Sequence, residues 1–237
     1  MVRSTARGVI LVNKTAQWDQ RQERYQKLNR VFLVIYIVVT AAVLLRGIAV
    51  QYDRAILYSV ISLVLLGAPW LTEKISGHFL PADCRFLFYL FCFGAVEVGS
   101  AMDAYDWIGW WDLLLHGLSG ALIALVGLLV YNGLRHNQGQ IPQGEQMLAV
   151  IFMNLAATTS AALWEYYEFI LDTFFGFDAQ YSAAGVSDTM TDMMVCTAGG
   201  LTLSLWFYWS WRKGRSSFLG QTVAHFYACN QKGRGQK

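Results

Sequence analysis

A row of carboxylates at the end of an apolar segment constrains the fold of this chain more than any other feature. Glu165, Glu168 and Asp172 are spaced i, i+3 and i+7, so a helix places all three on one face. The apolar segment that they close begins near Met147 and is long enough for a transmembrane helix. A carboxylate inside a bilayer costs about 2.5–3.5 kcal/mol on insertion scales. We therefore expect this face to point into a helix bundle and away from lipid.

The composition of the chain is typical of a polytopic membrane protein. Of its 237 residues, 55% are hydrophobic and only 14% are charged, whereas about a quarter of the residues in ordinary soluble domains are charged. The mean hydropathy of +0.36 agrees. The four cysteines form no CxxC pair, so the sequence indicates neither a disulfide framework nor a cysteine metal site. We expect an all-α protein of the inner cell membrane, surrounded by membrane lipids and without a nucleic-acid partner.

Six apolar segments approach or exceed the roughly 20 residues that cross the hydrocarbon core of a bilayer. They cover residues 31–50, 55–72, 86–103, 112–134, 147–172 and 188–211. The second segment is the shortest, and we expect Pro69 to bend or end it. The connections are short, so consecutive helices should be antiparallel neighbours. The predicted fold is a bundle of six transmembrane helices over residues 31–211.

Polar segments with many basic residues flank this transmembrane domain. Residues 1–30 form a basic arm, and residues 212–237 form a basic tail. Within the arm, residues 16–28 are either a short helix on the membrane surface or part of a solvated segment. The side chains at helical spacing there are Trp18, Gln22, Tyr25 and Leu28. The tail shows only a weak apolar cluster, and its last residues are expected to be disordered.

The basic residues predict the orientation of the bundle. With the amino terminus inside, 16 of the 18 lysines and arginines fall in cytoplasmic segments, and only Arg46 and Arg54 remain outside. Both termini are therefore expected to be cytoplasmic. Most acids lie in the outer half or the outer loops, although the positive-inside rule does not require this. These acids are Asp53, Glu97, Asp103, Asp106, Asp112, Glu165, Glu168, Asp172, Asp178, Asp188 and Asp192.

The outer loops are also rich in aromatic residues. The pattern is typical of an interfacial aromatic belt, and it also suits a vestibule that faces lipid or a substrate. The residues concerned are Tyr105, Trp107, Trp110, Trp111, Phe174, Phe175, Phe177 and Tyr181.

Three of the predicted helices bring polar side chains to the same outer membrane level. The fourth and sixth helices each begin with two polar residues four positions apart, and the fifth ends with two acids three positions apart. At a rise of about 1.5 Å per residue, the deeper members lie about 6–10 Å below the outer end of the helices. The candidate site comprises Asp112, His116, Glu165, Glu168, Asp188 and Asp192.

Carboxylates this close together cannot all ionise in a low dielectric without a counter-charge. Protonation, a basic partner or a divalent cation would each relieve the repulsion. The outer basic residues are too few, because only Arg46, Arg54 and His116 are available. The economical solution is a divalent metal ion bound by some of the six residues, although this donor set does not choose among magnesium, manganese, calcium, iron and zinc. Glu165, Glu168 and His116 are the candidate catalytic residues.

Single members of the set also have structural explanations. Asp112 and Asp188 suit the first turn of a helix, where the helix dipole favours an acid. His116 alone suits a polar contact between helices. Glu165 and Asp192 lie a turn or more inside apolar segments and have no such explanation. Small residues flank the set on all three helices, which predicts that these helices pack closely together.

The order of these motifs resembles that of a known family. The motifs are Asp112-Leu-Leu-Leu-His116, Trp164-Glu165-Tyr-Tyr-Glu168 and Asp188-Thr-Met-Thr-Asp192-Met193, with a glycine-containing loop before the third. Over residues 85–205 the chain is similar to the YjdF-type family of polytopic inner-membrane proteins of unknown function. The resemblance implies a multi-pass membrane protein and implies no activity, so any chemistry depends on the residues alone.

Three classes of function fit these features. The first is a metal-dependent membrane hydrolase or transferase that acts on a lipid or a lipid-linked phosphate. The second is a structural or accessory subunit that binds another membrane protein, and the third is an ion- or proton-coupled carrier. Acids confined to the outer half, without an inverted repeat, argue against the carrier. The lack of an outer basic cluster weakens the phosphate version of the enzyme.

Cysteine labelling tests the predicted orientation. In intact cells, a thiol introduced at Ser182 is expected to react with an impermeant reagent, because its loop is predicted to lie outside. A thiol introduced at Ser216 is expected to stay unlabelled. The reverse pattern would show that the bundle is inserted with the opposite orientation.

Overall fold

The computed structural model describes residues 2–137, 141–176, 185–215 and 217–232, with side chains from residue 16 to residue 230 within these ranges. Every regular element in these ranges is helical. The chain divides into two compact units, Met1–Asp103 with His225–Lys237, and Ala104–Ala224. Some sequence predictions fall outside the described residues, namely those for Phe177, Asp178, Tyr181, Ser182, Ser216 and residues 233–237.

The described ranges contain nine α-helices, a π-helical segment and a short 3₁₀ turn. In chain order they are α1 (Val2–Val50), α2 (Asp53–Leu65), α3 (Ala68–Ser76), α4 (Ala82–Cys92), the π-helical segment (Phe93–Ala101), α5 (Ala104–Trp107), α6 (Trp111–Arg135), the 3₁₀ turn (Gln143–Glu145), α7 (Gln146–Phe175), α8 (Val186–Arg212) and α9 (Phe218–Lys232). In the first unit, α1 packs against α2 and α4, and α2 packs against the π-helical segment.

The helix α1 continues from the amino-terminal arm into the first apolar segment as one helix of 49 residues. The sequence leaves open a surface helix over residues 16–28 that runs into the first span or a solvated arm, and the continuous helix agrees with the first alternative. Its position on the membrane surface remains a prediction. Arg21 forms an ion pair with Asp83 at 2.7 Å. The side-chain oxygen of Gln22 accepts a hydrogen bond of 2.9 Å from the backbone N–H of Ala82. These contacts hold the arm against the first turn of α4.

The second apolar segment is broken, and the prediction that Pro69 bends or ends it is confirmed. α2 ends at Leu65 and α3 begins at Ala68, with an angle of 42° between them. Pro69 lies in the first turn of α3, where a missing backbone N–H leaves no helical hydrogen bond unmade. The proline therefore favours the start of a new helix within one apolar segment.

The second unit is built from α6, α7 and α8, each of which contacts the other two. α6 has Asp112 in its first turn and Arg135 in its last, which suits the helix dipole at both ends. The ion pair between Arg135 and Glu145, at 2.5 Å, connects the end of α6 to the turn before α7. Gly176 and Gly185 both have positive φ and lie just after α7 and just before α8.

Small residues bring α6 and α8 into backbone contact. A Cβ atom added to Gly120 would overlap the carbonyl oxygen of Cys196, and one added to Gly199 would overlap the carbonyl oxygen of Gly117. Gly200 meets α7 in a similar way, with a side-chain carbon 2.6 Å from the position of an added Cβ. The close packing predicted for these three helices is confirmed.

Four helices in the described ranges are long and apolar enough to cross a membrane. They lie within Ala16–Val50, Ala82–Ala101, Trp111–Arg135 and Gln143–Phe175, and the bent pair α2 and α3 would make a fifth span. α8 corresponds to the sixth predicted segment and has 27 residues, but it is less apolar and is not among these helices. The all-helical, multi-pass architecture is confirmed, whereas six spans and two cytoplasmic termini remain predictions.

A helix that the sequence does not predict lies near the carboxyl terminus. His225 on α9 is fully buried, and its Nδ1 atom is 3.1 Å from Oδ1 of Asp83. Trp18 stacks on the imidazole with the ring centroids 5.4 Å apart. These contacts hold the part of α9 from His225 onwards in the first unit. They involve individual polar and aromatic side chains, which the weak apolar cluster of the tail does not reveal.

Two glycine substitutions on α6 are expected to have opposite effects. Gly120→Ala should destabilise the protein by about 1–3 kcal/mol, because the new methyl group overlaps the backbone of α8. Gly117→Ala is the matched control, since its Cβ would make ordinary contact with Val195 at 3.5 Å and alanine favours a helix by about 1 kcal/mol. Thermal unfolding in detergent measures both. Equal changes in the two variants would contradict the close approach of α6 and α8.

The stability of the protein is expected to depend on pH through His225. Burial lowers the pKa of His225, but its hydrogen bonds and the charge of Asp83 raise it by more, so that the pKa rises from 6.5 to about 9. A raised pKa in the folded state contributes stability that is complete below about pH 6.5 and disappears as the pH rises through about 9. The melting temperature of the wild type, relative to His225→Gln, should fall across this window.

The control for this measurement is His78→Gln, because His78 is an exposed histidine of the same unit. Its melting temperature relative to the wild type should change little between the two ends of the window. A pH-independent difference between His225→Gln and the wild type would show that the ion pair with Asp83 does not hold α9.

Candidate metal site

Two helices of the second unit bring an imidazole between two carboxylates. Asp112 and His116 lie one turn apart at the start of α6, and Asp192 lies in the second turn of α8. The Nε2 atom of His116 is 3.4 Å from Oδ1 of Asp112 and 3.8 Å from Oδ2 of Asp192. Donor atoms from all three residues fall within 4.8 Å of one another. We call these three residues the Asp112 group.

The spacing of the donor atoms leaves room for a metal ion. N–H···O hydrogen bonds are most often about 2.9–3.0 Å long, and both distances from His116 are longer. Ligand atoms bound to one ion at about 2.0–2.2 Å are about 2.8–3.6 Å apart in octahedral or tetrahedral geometry, so a small movement of Asp192 would complete the site. One imidazole and two carboxylates suit a divalent ion. Three protein ligands would leave at least one coordination position for water or a substrate.

A pocket of about 290 Å³ adjoins the Asp112 group. Asp112 and Asp192 line it together with Asp188, so three carboxylates face one small volume. The Asp112 side chain is 30% exposed and that of Asp192 is 4% exposed. One acid therefore lies towards the open side of the pocket and the other in the interior. The other lining residues, none of them basic, are Tyr105, Gly109, Leu113, Ser187 and Thr191.

The two acids of α7 lie near the Asp112 group but outside it. Glu165 is 4% exposed, and its Oε2 atom makes no hydrogen bond within the described residues. Glu168 is half-buried, and its Oε1 atom accepts a hydrogen bond of 2.8 Å from Nε1 of Trp164. The charges of both acids act on members of the Asp112 group. They add negative charge around a site that already contains two carboxylates.

The six residues predicted from the sequence thus occupy three different environments. Three form the Asp112 group, Asp188 lines the adjoining pocket, and Glu165 and Glu168 stand beside it on α7. The sequence analysis did not assign Tyr105 and Thr191 to the site. Thr191 is three residues after Asp188, a helical spacing that places them close together. Tyr105 lies in the short helix α5, which comes before α6 in a segment that the sequence predicts as a loop, so helical spacing from Asp112 gave no such signal.

Comparisons with known proteins agree with the membrane fold. An uncharacterized protein of Thermotoga maritima is 25% identical over 190 residues, which are 77% of this chain and 90% of that protein. No solved structure matches the chain. The sequence profile of a family described as predicted membrane protein (DUF2238) matches residues 31–213, a range that contains all three motifs. The chain therefore belongs to the DUF2238 family of predicted membrane proteins, which confirms the family that its motifs indicate.

Proposed function

We propose that this chain is a divalent-metal-dependent membrane enzyme, a hydrolase or a transferase, that acts on a lipid or a lipid-linked substrate. The observation that supports this most is the position of His116 between Asp112 and Asp192, with donor atoms of all three within 4.8 Å. The residues come from two helices whose backbones touch. Such a group is held in place before any ligand binds, which favours both metal affinity and catalysis.

The excess of negative charge supports a bound cation. The predicted site contains five carboxylates and one imidazole, and the lining of the adjoining pocket includes no lysine or arginine. An unpaired buried charge costs several kcal/mol, while a whole domain is stable by only about 5–15 kcal/mol. One divalent ion would offset most of this repulsion and would connect α6 to α8.

The residues then divide into three roles. Asp112, His116 and Asp192 would hold the ion, which supplies a Lewis acid for a phosphoryl or carbonyl oxygen when it is bound. Glu165 would accept a proton from the attacking water or hydroxyl group, because its Oε2 atom is free of hydrogen bonds within the described residues. Glu168 would donate a proton to the leaving group. Its hydrogen bond from Trp164 fixes the direction of its carboxyl group.

The surroundings of the pocket favour a lipid as the substrate. Tyr105 lines the pocket, and the adjacent Trp107 and Trp110 are 67% and 59% exposed. Tyrosine and tryptophan are enriched at the interface between membrane and water, where lipid head groups lie. A pocket of about 290 Å³ accommodates part of a head group, while the acyl or prenyl chains would remain in the bilayer.

We also propose that α8 completes a bundle of six spans with both termini in the cytoplasm and the site near the outer surface. α8 contacts both α6 and α7, and Asn154 on α7 donates a hydrogen bond of 2.7 Å to Ser204 on α8. Burial against two apolar helices explains how a helix of low hydropathy tolerates a membrane environment. The asymmetry of basic residues supports the orientation.

Two other functions remain alternatives to the enzyme. In a structural or accessory subunit of a membrane complex, the Asp112 group would only stabilise α6 against α8, and a membrane-protein partner would cover part of the exposed surface. In a carrier, the same acids would bind a coupling cation or a proton. A melting temperature that depends on metal distinguishes the enzyme from the structural alternative, and turnover of a lipid distinguishes it from the carrier.

Metal binding is expected to stabilise the purified protein. The melting temperature should rise with the logarithm of the concentration of the correct ion among manganese, zinc, magnesium, calcium and iron(II), and each tenfold increase above the dissociation constant adds about 1.4 kcal/mol. Asp192→Asn should abolish the dependence, because it removes a buried ligand. Asp106→Asn is the matched control, since Asp106 is an exposed acid of the same unit and its loss should leave the dependence intact.

A different result would support the structural alternative. If chelation leaves the melting temperature unchanged, and Asp192→Asn stabilises the protein no more than Asp106→Asn does, the carboxylates neither bind an ion nor repel one another strongly. The proposed metal site would then be wrong.

Turnover is tested with a membrane lipid extract and mass spectrometry of the products. Glu165→Gln should keep the metal-dependent stabilisation and lower the rate by at least about 100-fold, the usual contribution of a general base. Asp192→Asn should lose both properties. If wild type and Glu165→Gln release the same products at the same rate, Glu165 has no catalytic role. If the metal-loaded wild type turns over no lipid but moves cations across vesicles, the carrier replaces the enzyme.

A further inference from the structure

A second buried carboxylate lies in the first unit, apart from the proposed enzymatic site. Glu97 is 0% exposed. Both of its carboxylate oxygens are buried and make no hydrogen bond within the described residues. Burying a carboxylate without hydrogen bonds or an opposite charge is among the costliest arrangements in a protein. A chain that retains it in an apolar segment is expected to use it.

Buried hydroxyl groups lie on α1 and α2, two helices in contact with the π-helical segment. Tyr36 and Thr40 lie one turn apart on α1, and Ser59 and Ser62 lie one turn apart on α2. All four are 0% exposed. We call these four residues and Glu97 the Glu97 pocket.

The hydroxyl groups of this pocket leave oxygen atoms available for a ligand. The hydroxyls of Thr40 and Ser62 lie close enough to the Glu97 carboxylate to stabilise its charge, but neither reaches the geometry of a hydrogen bond with it. The charge of Glu97 in turn acts on Tyr36. The hydroxyls of Tyr36 and Ser62 are 2.8 Å apart and form a hydrogen bond. Thr40 Oγ1 and Ser59 Oγ are buried and have no hydrogen-bond partner within the described residues. With the two oxygens of Glu97, the pocket has four unpartnered oxygen atoms.

The backbone around Glu97 is π-helical, which is rare in proteins. Glu97 is the middle residue of the π-helical segment Phe93–Ala101. π-Helical turns are rare and occur frequently at functional sites, because they redirect side chains relative to an α-helix. The ring of Phe93, at the start of the segment, packs against Tyr36 with centroids 4.9 Å apart. This packing fixes the tyrosine beside the redirected carboxylate.

The donor set indicates the charge and hardness of the ligand. It consists of oxygen atoms alone, which bind hard cations. The single carboxylate supplies one negative charge, and the pocket as defined contains no lysine, arginine or histidine. A monovalent ion therefore makes the pocket neutral, whereas a divalent ion would leave a net positive charge in an apolar region. A proton would also neutralise the carboxylate but would leave the Ser59 hydroxyl without a partner among the described residues.

We propose that the Glu97 pocket binds a dehydrated Na⁺ ion. The carboxylate neutralises the ion, and the hydroxyl oxygens replace its water ligands. The ion connects α1, α2 and the π-helical segment, in addition to the hydrogen bond between Tyr36 and Ser62. This site depends neither on the Asp112 group nor on the proposed enzymatic activity.

Thermal unfolding of the full-length protein in detergent tests the proposal. At constant ionic strength, replacing choline chloride with NaCl should raise the melting temperature in proportion to the logarithm of the Na⁺ concentration once the site is near saturation. Glu97→Gln should abolish the dependence, because an amide keeps the shape of the side chain and removes its charge. Glu165→Gln is the matched control, since it neutralises a buried glutamate of the second unit and should retain the full dependence on Na⁺.

A second variant keeps the carboxylate and removes one ligand. Thr40→Val has nearly the same shape as the wild type and lacks the hydroxyl, so binding of ²²Na⁺ should weaken roughly tenfold or more, as expected for one contact to a charged group. Thr40→Ser should restore most of the affinity.

Three results would overturn the proposal. The first is equal stabilisation by NaCl and choline chloride, which would be an effect of ionic strength. The second is a Na⁺ dependence that persists in Glu97→Gln, which would place the ion elsewhere. The third is the absence of any Na⁺ dependence together with a higher melting temperature of Glu97→Gln, which would show a protonated or uncompensated carboxylate.

Discussion

The contact between the backbones of α6 and α8 is the constraint on which the second unit depends. Gly120 of α6 and Gly199 of α8 each leave a carbonyl oxygen of the other helix where a side chain would stand. Polar residues one or two turns before these glycines are therefore close to each other. His116 of α6 lies between Asp112 of the same helix and Asp192 of α8. Larger residues at the crossing would push the helices apart and would also separate these donor atoms. The small residues therefore determine both the packing and the geometry of the candidate metal site.

Both units contain buried carboxylates, and each surrounds them differently. In the second unit the acids stand beside an imidazole at the ends of helices, next to a pocket. In the first unit Glu97 stands among hydroxyl groups inside the helical packing. Free energy of desolvation opposes both arrangements. The difference in donor atoms favours a divalent ion at the Asp112 group and a monovalent ion in the Glu97 pocket. An imidazole with several carboxylates provides more charge and softer ligands than hydroxyls with one carboxylate.

Much of the site was predictable because its residues repeat at helical spacing. Asp112 and His116 are four residues apart, and counting residues from the outer helix ends placed Asp192 at a matching depth. The sequence could not separate the Asp112 group from Glu165, since distances between helices depend on packing that no single helix encodes. It also could not predict α9, which is held by a buried ion pair and a stacked ring without an apolar period. The number of spans stayed open for a related reason: burial against neighbouring helices lets α8 carry more polar residues than hydropathy allows.

The π-helical winding of Phe93–Ala101 determines the direction in which the Glu97 side chain points. A π-helical turn contains one more residue than the α-helical turn that it replaces. Each residue of an α-helix rotates the following side chains by about 100° about the axis. Each residue of the wider π-helical turn rotates the chain by less, so an α-helix of the same length would turn Glu97 further around the axis from Phe93 and away from Thr40 and Ser62, even though every side chain of the pocket would still be present in the sequence. For relatives of this chain, the winding of this segment is then more informative about the pocket than the identity of the aromatic residue or the acid.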